Sequence, residues 1–122
     1  MTTSSIATPA QVFTIVDSMD PDRFADLVTP DAKLTFGNLP PMVGREAIIA
    51  GCAGFYGTIK ALRHTIRNEW HQDGATIVEL VVTYDRLDGA SVTVPVVSVW
   101  STTADGLIDD YRVYFDLAPV YS

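Results

Sequence analysis

Apolar and polar residues alternate along the last third of the chain, in three segments separated by turns. We predict a strand in each segment, over residues 76–86, 91–101 and 107–116. A period of two is typical of β-strands, and the dipeptides Asp88-Gly89 and Asp105-Gly106 between the segments are typical of hairpin turns. The alternation is partial, because the residues of the second face are also largely apolar. We therefore expect both faces of this sheet to be covered.

The first half of the chain has helical periodicity instead. Two helices are predicted to start at Thr8-Pro9 and at Asp20-Pro21, because each pair places a capping side chain ahead of a proline at the first helical position. The second helix should end at Pro30, since the residue before a proline is disfavoured in the α region. A short strand is predicted next, over residues 32–36.

A third helix is predicted over residues 44–58, and it is rich in small residues. Gly51 and Gly54 each lower its intrinsic stability by about 1 kcal/mol relative to alanine. What they permit is a close approach of the helix backbone to the sheet. A further strand over residues 62–70 then leads, through a turn at Gln72-Asp73-Gly74, into the three strands described first.

The predicted order of elements is α-α-β-α-β-β-β-β. We assign the whole chain, residues 1–122, to one domain, and we expect residues 1–7 to be flexible. Helices grouped ahead of a run of strands are typical of an α+β fold, with the helices on one face of an antiparallel sheet. A second subunit is the simplest cover for the other face. We therefore expect a homodimer that forms through the outer face of the sheet.

The composition narrows the range of partners. Fifteen acidic residues against eight basic ones give a net charge of −7, and the basic residues do not cluster. Such a surface repels phosphate backbones and anionic membranes, so we expect neither nucleic acid nor a membrane as a partner. The single cysteine, Cys52, lies on the apolar stripe of the third helix and is predicted to be a core residue. One cysteine and no secretory signal favour a cytoplasmic protein.

Only two histidines are present, His64 and His71. On one unbroken strand their odd separation places them on opposite faces, which argues against a shared metal site, and no other motif indicates a metal or a cofactor. His64 shares its face with Leu62, Ile66 and Trp70, on the side expected to meet the helices. Two interpretations stay open for it. His64 is either a general acid–base or a core histidine with a satisfied hydrogen bond.

A few other polar side chains interrupt apolar surroundings. Tyr111 and Ser98 lie on the inward face of their strands, and Asn38 lies in a loop that must cross the open end of the helix–sheet layers. Two of them have structural alternatives: a hydroxyl bonded to nearby backbone for Ser98, and, equally well, a turn cap for Asn38. Asp109 starts the last strand, and we expect it to be exposed.

Four features of the chain resemble those of one known family. They are the helix-helix-strand opening, the helix start Gly44-Arg45-Glu46-Ala47-Ile48, the turn Asp88-Gly89, and the segment GLIDDYRVYFD over residues 106–116. The family is the SnoaL-like branch of the nuclear transport factor 2-like superfamily, and the resemblance covers residues 9–116. It implies a cone-shaped α+β fold, in which a strongly curved sheet wraps a long helix and encloses an apolar pocket. Members include polyketide cyclases, ketosteroid isomerases, limonene-epoxide hydrolases and dehydratases.

The catalytic residues of these relatives do not carry over to this chain. The positions of the hydrolases' charged triad correspond to Leu80, Val82 and Val113. The isomerases' general base falls near Phe36, and their oxyanion-hole acid near Ser98. What the resemblance does imply is a ligand pocket, and its expected lining residues are Val16, Met19, Asn38, Phe55, Ile59, His64, Tyr84, Val94, Val96, Ser98, Tyr111 and Phe115.

These observations predict an enzyme that acts by proton transfer on an apolar, cyclic substrate, as an isomerase, cyclase or dehydratase would. His64 would be the acid–base group, and Tyr84 and Tyr111 would orient or polarise a substrate oxygen. A hydrogen bond between His64 and either tyrosine would favour this hypothesis. The alternatives are a non-catalytic module that binds an apolar ligand, and a dimerisation domain with a vestigial pocket. A cavity filled by Trp70, Trp100 and Phe55 would exclude both ligand-binding hypotheses.

Overall fold

The computed structural model describes residues 7–122. The flexibility predicted for residues 1–7 therefore falls, apart from Ala7, outside the described residues. In chain order the elements are α1 (Pro9–Asp17), α2 (Pro21–Ala25), β1 (Val28–Phe36), β2 (Met42–Val43), α3 (Arg45–Tyr56), β3 (Ile59–Gln72), β4 (Ala75–Arg86), β5 (Ser91–Thr102), β6 (Ile108–Tyr114) and α4 (Ala118–Tyr121). Within residues 7–122, no helix is both long enough and apolar enough to cross a membrane.

The six strands form one curved, open sheet in the order β2-β1-β6-β5-β4-β3. Strands β3 to β6 make a meander in which each strand is antiparallel to the next, as the sequence predicts. Strand β1 joins this meander by pairing parallel with β6, and Leu34 lies opposite Tyr111 in that pair. The α+β fold class is confirmed, and it includes one parallel pair that the sequence pattern did not indicate.

The core lies between the helices and the inner face of the sheet. Val12 and Phe13 of α1 and Ile48 of α3 are buried in one cluster with Leu80 and Val82 of β4. Burial alternates along the neighbouring strand β5, where the buried residues are Val94, Val96, Ser98 and Trp100. The period of two in the sequence therefore identifies the inner face of these strands correctly.

Both predicted helix starts occur. The hydroxyl of Thr8 accepts a hydrogen bond from the backbone amide of Gln11, whose side-chain oxygen accepts one from the backbone amide of Thr8 in return. This reciprocal pair is a capping box. At α2, the Asp20 carboxylate accepts hydrogen bonds from the backbone amides of Asp22 and Arg23. These caps join residues at most three positions apart, so the local sequence is enough to predict them.

Helix α2 is shorter than predicted. It ends at Ala25, strand β1 begins at Val28, and Pro30 lies inside that strand. The register between β1 and β6 is irregular from Val28 to Lys33, so the missing amide hydrogen of Pro30 leaves no gap in a regular ladder. The prediction that Pro30 ends a helix was wrong, because an irregular strand also tolerates proline.

A β-bulge changes the face of the residues at the far end of β3. Ile66 lies opposite Leu80 and Asn68 lies opposite Glu79, so β3 has one more residue than β4 between these pairs. An extra residue reverses the alternation of faces beyond it. Trp70 is accordingly 52% exposed, on the outer face opposite Ile77. The prediction that Trp70 faces inward with Leu62 and His64 was wrong for this reason.

The hairpin turn between β3 and β4 has the predicted composition. Asp73 and Gly74 have φ values of +53° and +78°, the left-handed pair that a type I′ turn requires. Two other short elements were not predicted, namely the two-residue strand β2 and the four-residue helix α4. Segments of this length are too short to show a period.

Helix α3 approaches a neighbouring element closely at one of the two glycines where a close approach is predicted. A Cβ atom at Gly51 would lie 2.2 Å from the Sδ atom of Met42, whereas a Cβ atom at Gly54 would meet nothing within 4 Å. The predicted close approach is therefore confirmed at Gly51 and not at Gly54. The neighbour that Gly51 accommodates is a side chain of β2, a strand that was not predicted.

Candidate functional site

A cavity of about 70 Å³ lies between the helices and the inner face of the sheet. Every element from α1 to β6 contributes to its largely apolar wall. The condition that would exclude ligand binding is not met. Trp70 is on the outer face, Trp100 is stacked on Tyr111 outside the cavity wall, and Phe55 forms part of the wall without filling the space.

The structure places half of the predicted pocket residues around this cavity. All three residues predicted to be catalytic are among them, on strands β3, β4 and β6. The lining residues that the sequence predicted are Val16, Phe55, His64, Tyr84, Ser98 and Tyr111.

The other predicted pocket residues lie elsewhere. Ile59, Val94 and Val96 are buried in the core, away from the cavity. Asn38 is exposed in its loop, so it does not present its amide to the cavity. The remaining two do not reach the wall either, since Met19 lies in the turn after α1 and Phe115 packs against Phe36. Facing inward on the sheet is thus not the same as facing the cavity, because much of the inner face meets the helices directly.

Several wall residues were not predicted. Some of them belong to short elements, such as α2 and β2, that contribute a single residue to the wall. A single residue shows no hydrophobic period. Tyr56 is different, because it follows Cys52 by four residues on α3, and this spacing places the two side chains on one helical stripe. The additional wall residues are Phe24, Leu34, Phe36, Met42, Gly51, Cys52, Tyr56 and Leu62. Val82 and Val113 also line the cavity, on the inward sheet face where the sequence pattern places them.

His64 is held by a carboxylate that no sequence motif indicated, that of Asp17. The Nδ1 atom of His64 lies 2.5 Å from Oδ1 of Asp17, and the backbone amide of His64 donates to Oδ2 of Asp17 at 3.2 Å. The ring of Phe13 stacks on the imidazole, with centroids 4.7 Å apart and planes 9° from parallel. The carboxylate and the stacked ring together fix the position of the imidazole.

This arrangement determines which nitrogen of His64 can react. An ionised carboxylate only accepts hydrogen bonds, so Nδ1 carries the hydrogen that points to Asp17. The other nitrogen, Nε2, has no hydrogen-bond partner among residues 7–122, and the side chain of His64 lines the cavity. Nε2 is therefore the atom available to a ligand, as an acceptor or, after protonation, as a donor.

The sequence contains one signal that points to Asp17. It is the last residue of α1, where the partial negative charge of the helix C-terminus disfavours a carboxylate. A residue that opposes local preference in this way often has a functional or tertiary role. Its partner is 47 positions away, so the signal marks Asp17 without indicating His64.

Two tyrosines lie deep in the wall. Tyr84 and Tyr111 are 2% and 4% exposed, and burial raises the pKa of both hydroxyl groups. The neighbouring Ser98 hydroxyl partly opposes the rise in the pKa of Tyr111. Both phenols, like a free tyrosine, are protonated at neutral pH and can donate a hydrogen bond. Neither is hydrogen-bonded to His64 within the described chain, so the predicted contact is absent and Asp17 takes its place.

The remaining polar groups of the wall are weak reactants. Burial raises the pKa of the Cys52 thiol to about 11, which agrees with the prediction of an unreactive core residue. Burial is also the main cause of a raised pKa at Tyr56, and the nearby carboxylates of Asp17 and Asp20 add to it. The wall contains no lysine, arginine, aspartate or glutamate among the residues described.

His71 lies at the surface. Its Nε2 atom lies 2.9 Å from a carboxylate oxygen of Glu69, and its Nδ1 atom lies 3.1 Å from the hydroxyl of Thr76. The bulge in β3 removes the parity argument that separated His71 from His64. Between residues 7 and 122, however, no three His, Cys, Asp or Glu side chains are grouped so that they could hold a metal ion.

A sequence comparison that covers most of the chain identifies the family. The profile of the SnoaL-like domain matches residues 10–111. The chain belongs to the SnoaL-like family. Among curated proteins, none shows significant similarity to this sequence.

Solved structures share the fold of this SnoaL-like chain at low sequence identity. A putative SnoaL-like polyketide cyclase from Jannaschia sp. CCS1 is 21% identical, with 98% of this chain and 94% of that chain covered and a TM-score of 0.78. A hypothetical protein with a ketosteroid isomerase-like fold from Catenulispora acidiphila DSM 44928, in complex with trimethylamine, is 20% identical, with 93% and 91% covered and a TM-score of 0.79. The epoxide hydrolase/cyclase-like enzyme SalBIII, described in pyran ring formation in the polyether salinomycin, is 20% identical, with 89% and 88% covered and a TM-score of 0.77.

Proposed function

We propose that this SnoaL-like protein is an enzyme that transfers a proton on a small, mostly apolar and cyclic substrate, as an isomerase, cyclase or dehydratase does. His64 is the acid–base group, and Nε2 is its reacting atom. The observation that carries the proposal is the 2.5 Å contact between Nδ1 of His64 and Asp17 at the edge of an apolar cavity.

The Asp17–His64 pair has the properties of a general base. When Nε2 takes a proton from a substrate, the imidazole becomes positively charged, and the carboxylate at Nδ1 stabilises that charge. Because Asp17 and the ring of Phe13 hold the imidazole, little reorientation is needed during the transfer. A positioned acid–base group of this kind typically contributes about 10²–10⁴-fold to a rate.

Tyr84 and Tyr111 supply the complementary function. A phenol has a pKa near 10 even when it is free, so both hydroxyl groups are protonated at neutral pH, and burial raises the pKa of each further. Donors placed in an apolar cavity stabilise negative charge that develops on a substrate oxygen, such as the oxygen of an enolate. We assign the two phenols to binding a carbonyl or hydroxyl oxygen while His64 acts on a nearby carbon–hydrogen or oxygen–hydrogen bond.

The wall disfavours the charged-triad chemistry of epoxide hydrolases. The corresponding positions are Leu80, Val82 and Val113, of which Val82 and Val113 line the cavity as apolar residues. Ring closure and isomerisation need only a proton donor and acceptor. The names of two similar structures, a polyketide cyclase and an epoxide hydrolase/cyclase-like enzyme, are compatible with such a reaction in this fold.

A general proton-transfer probe tests the proposal without knowledge of the natural substrate. The probe is cyclopentanone in D₂O, and proton NMR follows the exchange of its α-hydrogens for deuterium. We expect the protein to accelerate exchange over buffer, and His64→Ala to lower that acceleration by at least about 10²-fold. His71→Ala is the matched control, because it removes the surface histidine and should leave the rate unchanged. An equal rate for His64→Ala and the unaltered protein would remove His64 from the mechanism.

A non-catalytic binding module is the second candidate. The observation that favours it is the wall itself, which is mostly apolar and has a single imidazole, that of His64. Binding of cyclopentanone by NMR titration without any acceleration of exchange would support this candidate over the enzyme. Equal binding by the unaltered protein and His64→Ala would strengthen it further.

We also propose that the protein forms a homodimer through the outer face of the sheet. Tyr114 is 54% exposed and Val97 is 36% exposed, and with Val81 and Pro95 they form the apolar part of a shallow groove on that face. The polar residues Arg67, Asn68 and Glu79 also line this groove. A second copy of the sheet would remove this surface from water. Sedimentation velocity at micromolar concentration should show a dimer, and Val97→Glu should shift it to a monomer. A monomer in the unaltered protein would contradict the proposal.

A further inference from the structure

We infer that Met42 is the residue that sets the largest ligand the cavity can accept. This inference rests on the proposed function only in taking the cavity as the ligand site. It adds a specificity-determining residue that belongs neither to the acid–base pair nor to the phenols.

The thioether of Met42 lies in space that exists only because residue 51 is glycine. A Cβ atom on Gly51 would lie 2.2 Å from Sδ of Met42 and 3.3 Å from its Cγ and Cε atoms. A side chain at position 51 and the thioether of Met42 cannot both fit in this space unless one of them moves. Met42 and Gly51 both line the cavity, so the position of the thioether directly determines how much of the cavity is open.

Met42 has more freedom to move than the wall residues of the central strands. It belongs to a two-residue strand at the edge of the sheet, which pairs only with β1. Its side chain is half-buried, and methionine has three rotatable bonds and no branch. The wall residues of the central strands differ, because Val82, Tyr84 and Tyr111 are nearly fully buried on longer strands. When the cavity changes size, Met42 is the side chain that moves.

The cavity in its present state is too small for a six-membered ring, so the position of Met42 determines whether such a ring can enter. A dry apolar cavity of about 150 Å³ is known to admit benzene. The cavity here is about 70 Å³, so a six-membered ring enters only when the thioether of Met42 swings away. Replacing Met42 by alanine removes its Cγ, Sδ and Cε atoms from the wall and makes the larger state permanent.

The test compares two neutral ketones of different size, cyclopentanone and 1-decalone, by NMR titration of the full chain. Met42→Ala should bind 1-decalone at least about 10-fold more tightly than the unaltered protein does, because the bicyclic ring then buries several more methylene groups. Its affinity for cyclopentanone should rise by a smaller factor, since that ring has about half as many heavy atoms and buries fewer additional groups.

Gly51→Ala should have the opposite effect. The new methyl group displaces the thioether of Met42 and should weaken binding of both ketones. Gly54→Ala is the matched control, since it makes the same change in the same helix with nothing within 4 Å. Alanine is the better helix former, so neither variant is expected to unfold. The double variant Met42→Ala/Gly51→Ala should regain the affinity that Gly51→Ala loses, because alanine at position 42 leaves room for the methyl group.

Each outcome decides the inference. Equal affinities of Met42→Ala and the unaltered protein for 1-decalone would overturn it, and so would equal behaviour of Gly51→Ala and Gly54→Ala. Size selection without any proton exchange contradicts the proposed enzyme and leaves the role of Met42 intact. Exchange without size selection contradicts only the role of Met42. If no variant binds either ketone, both proposals are wrong.

Discussion

The carboxylate of Asp17 accepts two hydrogen bonds from His64, one from the ring Nδ1 at 2.5 Å and one from the backbone amide at 3.2 Å. Asp17 ends helix α1, and His64 lies on β3, the strand at one edge of the sheet. The backbone contact satisfies an amide that no neighbouring strand can pair. The ring contact orients the imidazole. A single carboxylate thus attaches the helix to the sheet edge and positions the candidate acid–base group.

Asp17→Asn should separate these two contributions. An amide oxygen can still accept the hydrogen bond from the backbone of His64, but a neutral amide cannot stabilise a positively charged imidazole. We expect the exchange of cyclopentanone α-hydrogens to slow by at least about 10-fold, since charge-assisted hydrogen bonds are the stronger class. In proton NMR, the strongly downfield resonance expected for the short Nδ1–H contact should disappear. Asp22→Asn, an exposed residue of α2, is the control.

A structural role alone would give a different result for Asp17→Asn. In that case the unfolding free energy would fall, while the exchange rate per folded molecule and the downfield resonance would stay as they are. Urea denaturation of the same samples measures the first quantity. An unchanged rate would show that Asp17 anchors the helix and takes no part in positioning the base.

The stack of Phe13 on His64 should contribute measurably to stability. Aromatic pairs in such geometry are worth about 0.5–1.5 kcal/mol beyond the area they bury. A double-mutant cycle with Phe13→Leu and His64→Ala, measured by urea denaturation, should give a coupling free energy in that range. Phe13 also meets Trp100 edge-on at 5.7 Å, and the cycle cancels this second contact. A coupling near zero would show that the imidazole is held by Asp17 alone.

Gly74→Ala should destabilise the protein by about 1–2 kcal/mol in urea denaturation. Gly74 has a φ of +78°, where a Cβ atom is strained whatever the space around it. Gly57→Ala is the control, because Gly57 has an ordinary helical φ of −68° and would make only van der Waals contacts through a Cβ atom. Equal effects of the two substitutions would show that the hairpin turn does not depend on the left-handed conformation.

Cys52 should be slow to alkylate in the folded protein. Burial raises its pKa from 9.0 to about 11, so at pH 9 its thiolate fraction is about 50-fold below that of a free thiol. Iodoacetamide at pH 9, followed by mass spectrometry, should therefore react at least about 50-fold more slowly with the folded chain than with the chain in urea. With one cysteine, no second thiol competes. The raised pKa also means that burial of the protonated thiol contributes stability that is lost as the pH rises from 9.0 to about 11. Equal alkylation rates in the two states would contradict the burial.

The sequence patterns that predicted structure correctly are those whose cause is local. The capping pairs at Thr8 and Asp20 involve neighbours within three residues. The Asp73-Gly74 turn requires only its own backbone conformation. The prediction for Trp70 gave the wrong face because a bulge adds one residue to a strand, and the composition of the strand does not indicate it. Pro30 was assigned to a helix end because its tolerance in β1 depends on the irregular pairing of that strand with β6.

By itself, the sequence determined the kinds of element, their order along the meander and the inward face of the central strands, because periodicity and caps act over a few residues. It also placed His64, Tyr84 and Tyr111 on that face. Only the tertiary structure decided which inward residues border open space, that β1 lies parallel beside β6, and that Asp17 meets His64 across 47 positions. These depend on how helices and sheet pack together, and packing is a property of residues that are distant in the chain.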